Sequence, residues 1–151
     1  MKKKIAAGIL TLAMVAGMST SAFAANPKFV YEDESKGGND TFSKANKFQL
    51  SNHVIIDGNA SKGDLDYYEF SPSESGSFKF DFTPGNFDLS AGDAVVTLYD
   101  EKKNEIRSKK LNSSNTVVFT EDLAESTNYY LKVENKRSKS YDYLIYIDKQ
   151  N

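Results

Sequence analysis

The stretch Gly76-Ser77-Phe78-Lys79-Phe80-Asp81-Phe82-Thr83 sets three phenylalanines on alternate positions against Ser77, Lys79 and Asp81. In an extended chain successive side chains point to opposite faces, so the octet makes one aromatic and one solvated face; a helix would scatter the three rings. It predicts a strand lying half-buried on a core. The pattern recurs on both sides. Tyr68 and Phe70 alternate with Tyr67 and Glu69, and Val96 and Leu98 with Val95, Thr97 and Tyr99. Val117 and Phe119 flank Val118, and Tyr129, Leu131 and Val133 alternate with Tyr130 and Lys132. The last run sets Tyr143, Ile145 and Ile147 against Asp142, Leu144 and Tyr146; both sides are fairly apolar, which predicts a central strand.

Clusters of turn-forming residues separate these runs: Pro84-Gly85-Asn86, Asp100 to Asn104, Asn112 to Asn115 and Glu125 to Asn128. A longer connection, Phe87 to Ala94, is expected to be anchored at the core rim by Phe87 and Leu89. The count is seven to eight short strands with no long amphipathic helical pattern. Aromatic faces that no helix covers must pack on a second sheet, so the expected class is all-β, an antiparallel β-sandwich.

The chain has 151 residues, with 19 basic and 21 acidic side chains and no Cys or Trp. Lys2 to Lys4, the apolar run Ile5 to Ala16 and the small residues around Phe23 read as a secretory signal peptide over residues 1–24, cleaved after Ala24. Three of the basic residues and none of the acidic ones fall in it, so the remaining 127 residues carry a formal charge of −5. That balance argues against non-specific nucleic-acid binding. No later stretch reaches the ~18 consecutive apolar residues of a membrane span. The expected organisation is a signal peptide, an irregular acidic segment over 25–47 with one helical turn around Phe42 to Asn46, and a sandwich over 48–151. The expected setting is secreted, extracellular or attached to the cell wall, as a monomer.

Several phrases in order carry a resemblance. They are Asn39-Asp40-Thr41 with Ala45 beyond, Asp57-Gly58, Gly63-Asp64-Leu65-Asp66-Tyr67-Tyr68-Glu69-Phe70, Gly76-Ser77-Phe78, Val96-Thr97-Leu98-Tyr99-Asp100, Asn128 to Val133, and Tyr143-Leu144-Ile145. From about Glu32 to Ile147 the chain resembles the bacterial pre-peptidase C-terminal domain and, more distantly, the collagen-binding domain of clostridial collagenases. The resemblance implies a jelly-roll-like sandwich that is not itself an enzyme and that accompanies a secreted protease. No catalytic domain is read beside it here, so a free-standing binding protein is expected. In the collagen-binding relatives an acidic stretch and an Asp-x-Asp loop hold calcium, which carries that role onto Glu32, Glu34, Asn39, Asp40, Asp64 and Asp66. Ser35 to Gly38 depart from the relatives by lengthening the loop between Glu34 and Asn39.

The residues also speak for themselves. Oxygen-bearing side chains in flexible loops suit calcium, which takes six to eight oxygens; equally, solvated charges and Asp or Asn turn formers account for the same letters. His53 is the single imidazole, with no nucleophile motif near it, which leaves hydrolytic chemistry unsupported. Tyr67, Tyr99, Tyr130, Tyr141 and Tyr146 read as lying opposite the core set. Of these Tyr130, Tyr141 and Tyr146 are candidate ligand-binding residues, while the plainer account is strand propensity. Lys102, Lys103, Arg107, Lys109 and Lys110 make one hairpin basic, as an edge strand guarded against association or as a surface for an anionic cell-wall polymer. The expected function is recognition of an extracellular protein or peptide or a cell-envelope partner, with a carbohydrate-binding module as the alternative.

Overall fold

A computed structural model describes residues 26–34, 38–86 and 88–151. The expected signal peptide and Phe87 lie outside the described residues. The strands are β1 (Lys28–Tyr31), β2 (Asn46–Leu50), β3 (His53–Ala60), β4 (Leu65–Pro72), β5 (Gly76–Pro84), β6 (Ala94–Tyr99), β7 (Glu105–Lys110), β8 (Val117–Leu123), β9 (Tyr129–Asn135) and β10 (Tyr141–Lys149). A single 3-10 turn, Phe42–Lys44, precedes β2. The strands form two five-stranded sheets, ordered β1-β3-β10-β5-β8 and β2-β4-β9-β6-β7. The all-β sandwich holds as expected. No helix among the described residues is long and apolar enough to cross a membrane.

The alternation of the opening octet does what its physics requires. Phe78, Phe80 and Phe82 are buried, while Ser77, Lys79 and Asp81 are half-exposed, and β5 lies between β10 and β8. Phe80 stacks on Phe119 at 4.9 Å and reaches Phe70 of the opposite sheet at 6.2 Å. Val54, Ile56, Ile145 and Ile147 fill the first layer, and Tyr68, Val96, Leu98, Leu131 and Val133 the second. Burying each such side chain is worth about 1.5–3 kcal/mol, so this interface dominates stability. β10 pairs with β3 on one side and β5 on the other, the central place its two apolar sides predict. Leu89 packs against the core, as expected of the connection after β5.

Ten strands stand among the described residues where seven to eight were expected. β1 lies inside the segment read as irregular, and β2 begins at Asn46 within it. Four and five residues are too short to show a period against polar neighbours. Both pair in parallel, β1 with β3 and β2 with β4. Because β1 joins one sheet and β2 the other, the chain between them crosses the end of the sandwich. It passes over the β3–β4 turn, where Asp64 and Asp66 stand.

β10 also fixes that end. The Tyr143 ring lies on Gly58, where an added Cβ would come within 2.5 Å of the ring. Glycine is required there by the close approach of the ring, not by a turn. Gly58→Ala is expected to lower stability by about 1–3 kcal/mol, the usual cost of overpacking, read as the shift in urea midpoint at unchanged slope; an unshifted midpoint would show that Tyr143 moves aside freely.

Candidate functional site

The crossing segment delivers its acids to the sandwich end by backbone pairing. Glu32 donates its N–H to the Asp57 carbonyl at 3.0 Å, and its Oε2 accepts the Asn59 N–H at 2.7 Å, which turns the side chain over the end of β3. Gly38 closes the loop after Glu34 with its N–H on the Glu34 carbonyl at 3.4 Å. Its φ of +79° lies in the left-handed region, and a Cβ there would meet the Asp40 carboxylate at 2.8 Å. Asn39 follows. It is fully buried, its carbonyl accepts the Tyr67 N–H at 3.0 Å and its Nδ2 donates to Asn46 Oδ1 at 3.0 Å. Asn39 thus stands at the site.

Carboxylate oxygens of Glu32, Glu34 and Asp66 lie within 4.8 Å of one another. Two oxygens bound to one calcium at 2.3–2.6 Å are at most about 5 Å apart, so the spacing suits a shared cation. Asp66 enters from β4 and is fully buried. Tyr143 donates its hydroxyl to Asp66 Oδ2 at 2.8 Å, and the Tyr68 hydroxyl lies 2.7 Å from that of Tyr143. Among the described residues five buried side-chain N/O atoms lack a hydrogen-bond partner, and three of these, Glu32 Oε1, Asn39 Oδ1 and Asp66 Oδ1, belong to this site. Buried polar atoms are rarely left so.

The electrostatics agree. Burial, and after it the adjacent Glu32 carboxylate, pushes the Asp66 carboxyl up to about 9. Glu34 is raised by burial and by the charges of Glu32, Asp64 and Asp40. Asp64 and Asp40 thus contribute field but stand outside the close group. Both Asp64 oxygens are engaged by the turn, Oδ2 by the Ser61 N–H at 2.9 Å and Oδ1 by the Leu65 N–H at 3.1 Å, and Asp40 is exposed. The expected set of six thus resolves into three close carboxylates, one buried amide and two peripheral acids.

The three tyrosines singled out in sequence go to three different places. Tyr130 lies on the outer face of β9, where Phe42 of the 3-10 turn packs on it at 5.1 Å, on Tyr99 at 5.1 Å and on Tyr67 at 4.6 Å. Tyr146 lies on the outer face of the other sheet, in register with Ile55. Tyr141 is a correction: it is buried in the core, because its odd position shares the parity of Tyr143 and Ile145. The alternation of β10 carries that information. The Phe42 contact is not readable in the letters, since it depends on where the crossing segment lands.

His53 pairs through Nδ1 with Asp148, tying the start of β3 to the end of β10, at the far end of β3 from the acidic group. β7 is exposed throughout and forms the sheet edge expected for the basic hairpin, with Arg107 paired to Glu121 of β8.

No family model matches the chain, and no curated protein matches it in sequence. Its fold does have counterparts among solved structures. The pre-peptidase C-terminal domain of a collagenase from Bacillus anthracis superposes with a TM-score of 0.54 at 17% identity, covering 69% of this chain and 96% of that one. A mitogen from Yersinia pseudotuberculosis superposes with a TM-score of 0.51 at 12% identity, over 68% of this chain and 89% of that one. The likeness is one of fold.

Asp66 is expected to govern how stability varies with pH in the absence of added cations. Its folded carboxyl keeps a proton up to about pH 9 while the unfolded one loses it near the ordinary 3.8. The folded state binds more protons between those values, so stability is highest below the lower value and falls as pH rises through the window. Urea midpoints measured in EDTA at pH 5 and pH 8 are expected to fall for the parent and to change much less for Asp66→Asn. Parallel shifts in the two proteins would remove Asp66 as the cause.

Proposed function

We propose that the protein is a secreted, non-catalytic β-sandwich of the pre-peptidase C-terminal type, pinned by calcium and recognising an extracellular protein or cell-envelope partner. One observation carries the metal reading: three buried oxygens without partners among the described residues, on Glu32, Asn39 and Asp66, beside a third carboxylate on Glu34. Left without a ligand these atoms are costly, and Asp66 then stands as a neutral acid beside the Glu32 and Glu34 carboxylates. A hard divalent cation resolves both. Glu32, Glu34, Asp66 and the Asn39 amide oxygen would hold it, with Tyr143 fixing the orientation of Asp66 by the hydrogen bond to Oδ2.

Calcium here supplies order, not reactivity. Apart from Phe42 and Ala45 the crossing segment is polar and depends on the sandwich end for its position. Binding to the folded state alone adds stability that grows with the ratio of free cation to Kd. The likeness to the collagenase domain favours a binding role. The carbohydrate alternative has weaker support, since Phe42 covers the Tyr130 ring and Tyr141 is internal.

The test is calorimetric titration with calcium, followed by melting and limited proteolysis. Calcium is expected to bind at one site, raise Tm and protect residues 31–41, and Asp66→Asn is expected to abolish all three effects. An EDTA-treated protein whose Tm and cleavage pattern ignore excess calcium would end the metal reading.

A further inference from the structure

The two sheets have four edge strands, and an open edge is a template for pairing unless it is guarded. Three are guarded here. β7 carries Arg107, Lys109 and Lys110; β8 carries Glu121 and Asp122; β2 carries Lys47, paired with Glu69 at 2.9 Å. β1 is different. Besides Lys28, its exposed side chains are Phe29 and Tyr31, at 50% and 67% exposure, and they stack at 6.2 Å with 15° between their planes. The one charge on the strand, Lys28, is turned toward the other sheet, where its Nζ donates to the Gln49 carbonyl at 3.2 Å.

Among the described residues the outer backbone of β1 is equally without a pairing strand. The Glu32 N–H bonds the Asp57 carbonyl, so the main-chain groups of residues 28, 30 and 32 face β3, and by alternation those of Phe29 and Tyr31 face outward. An N–H and a carbonyl on each of two residues thus present the pattern that an added strand completes. Next to Tyr31, a shallow depression of about 240 Å³ is lined by Glu32, Asp57, Asn59 and Asp142. Asp57 lies opposite Tyr31 in register, is exposed, and enters no ion pair among the described residues; the Asp142 carboxylate there accepts only the Asn59 amide, at 2.7 Å. Asp57 stands two strand steps, about 10 Å, from a strand added outside β1. A lysine or arginine side chain laid across the Tyr31 ring reaches toward it, gaining the ring face on the way.

We infer that the β1 edge is the docking surface for an extended, lysine- or arginine-bearing segment of a partner protein, which joins the sheet through Phe29 and Tyr31 and places a cation between Tyr31 and Asp57. This rests on the reading of the protein as a protein-binding domain, but not on its calcium. Backbone pairing supplies affinity, the two rings supply the apolar contact, and the unpaired carboxylates select a basic segment. The surface lies on the opposite sheet from Tyr130.

The probe is a nine-residue peptide of alternating valine or threonine and lysine, with a twin carrying glutamate for lysine. Amide exchange of Phe29 and Tyr31, followed by NMR in saturating calcium, reads strand addition directly. The lysine peptide is expected to slow both amides and to bind at least about tenfold more tightly than its twin, a difference of ~1.4 kcal/mol. Tyr31→Pro, which removes an outward N–H while leaving the groups that face β3, is expected to weaken binding more than Tyr31→Ala. Asp57→Lys, on the exposed face, is expected to transfer the preference to the glutamate peptide and remains informative if Tyr31→Pro does not fold. Unchanged exchange with both peptides, equal slowing by both, or slowing that follows protein concentration alone each overturns the inference. The calcium response of Tm in the same samples tests the metal reading separately.

Discussion

A carboxylate held inside the protein with one oxygen unmatched is the constraint on which the rest of this structure turns. Asp66 sits at the first inward position of β4, fixed by the Tyr143 hydroxyl, which the Tyr68 hydroxyl meets in turn. That chain of hydroxyls reaches from the aromatic core to the sandwich end. It can be positioned so well only because two sheets press face to face around it, and because Gly58 lets the Tyr143 ring approach the backbone of β3. Packing thereby dictates where the Asp66 carboxyl stands, buried and with one oxygen unmatched among the described residues.

What lies above it is the crossing between β1 and β2. Apart from Phe42 and Ala45 this segment is polar, and it is held by strand pairing at both ends, one end on each sheet. A chain joining two sheets across the mouth of a sandwich is well placed to sense what fills that mouth. Glu32 and Glu34 bring carboxylate oxygens within 4.8 Å of those of Asp66, whose own carboxyl is pushed up to about 9 by burial and by Glu32. A cation held there, as proposed above, would also order the segment, since Glu32 and Glu34 follow β1 directly.

How much of this is legible in the letters depends on the length of the pattern. Three alternating phenylalanines in β5 and the doubly apolar β10 identify the sandwich and its central strand. β1 and β2 escape because four or five residues beside Gly38, Asn39 and Asp40 do not establish a period, and because parallel pairing with distant strands is a tertiary fact. The acids of the site follow from their chemistry and from the resemblance. Which of them converge is a matter of turn geometry: Asp64 commits both oxygens to its own turn, whereas Asp66, two residues on, points inward. Tyr141 is legible after all, since the parity of its own strand places it with Tyr143 in the core rather than on the surface.

The sandwich thus divides its labour among one end, two outer faces and four edges, with the acids at the end, Phe42 over the tyrosines on one face and an unguarded aromatic edge beside the other. The central claim is that the unmatched oxygens are ligands. Crystals grown in calcium and measured at a wavelength where calcium scatters anomalously test it most directly. The account predicts a single anomalous peak bounded by Glu32, Glu34, Asn39 and Asp66; a fully occupied water hydrogen-bonded to a protonated Asp66, with no anomalous signal at saturating calcium, would contradict it.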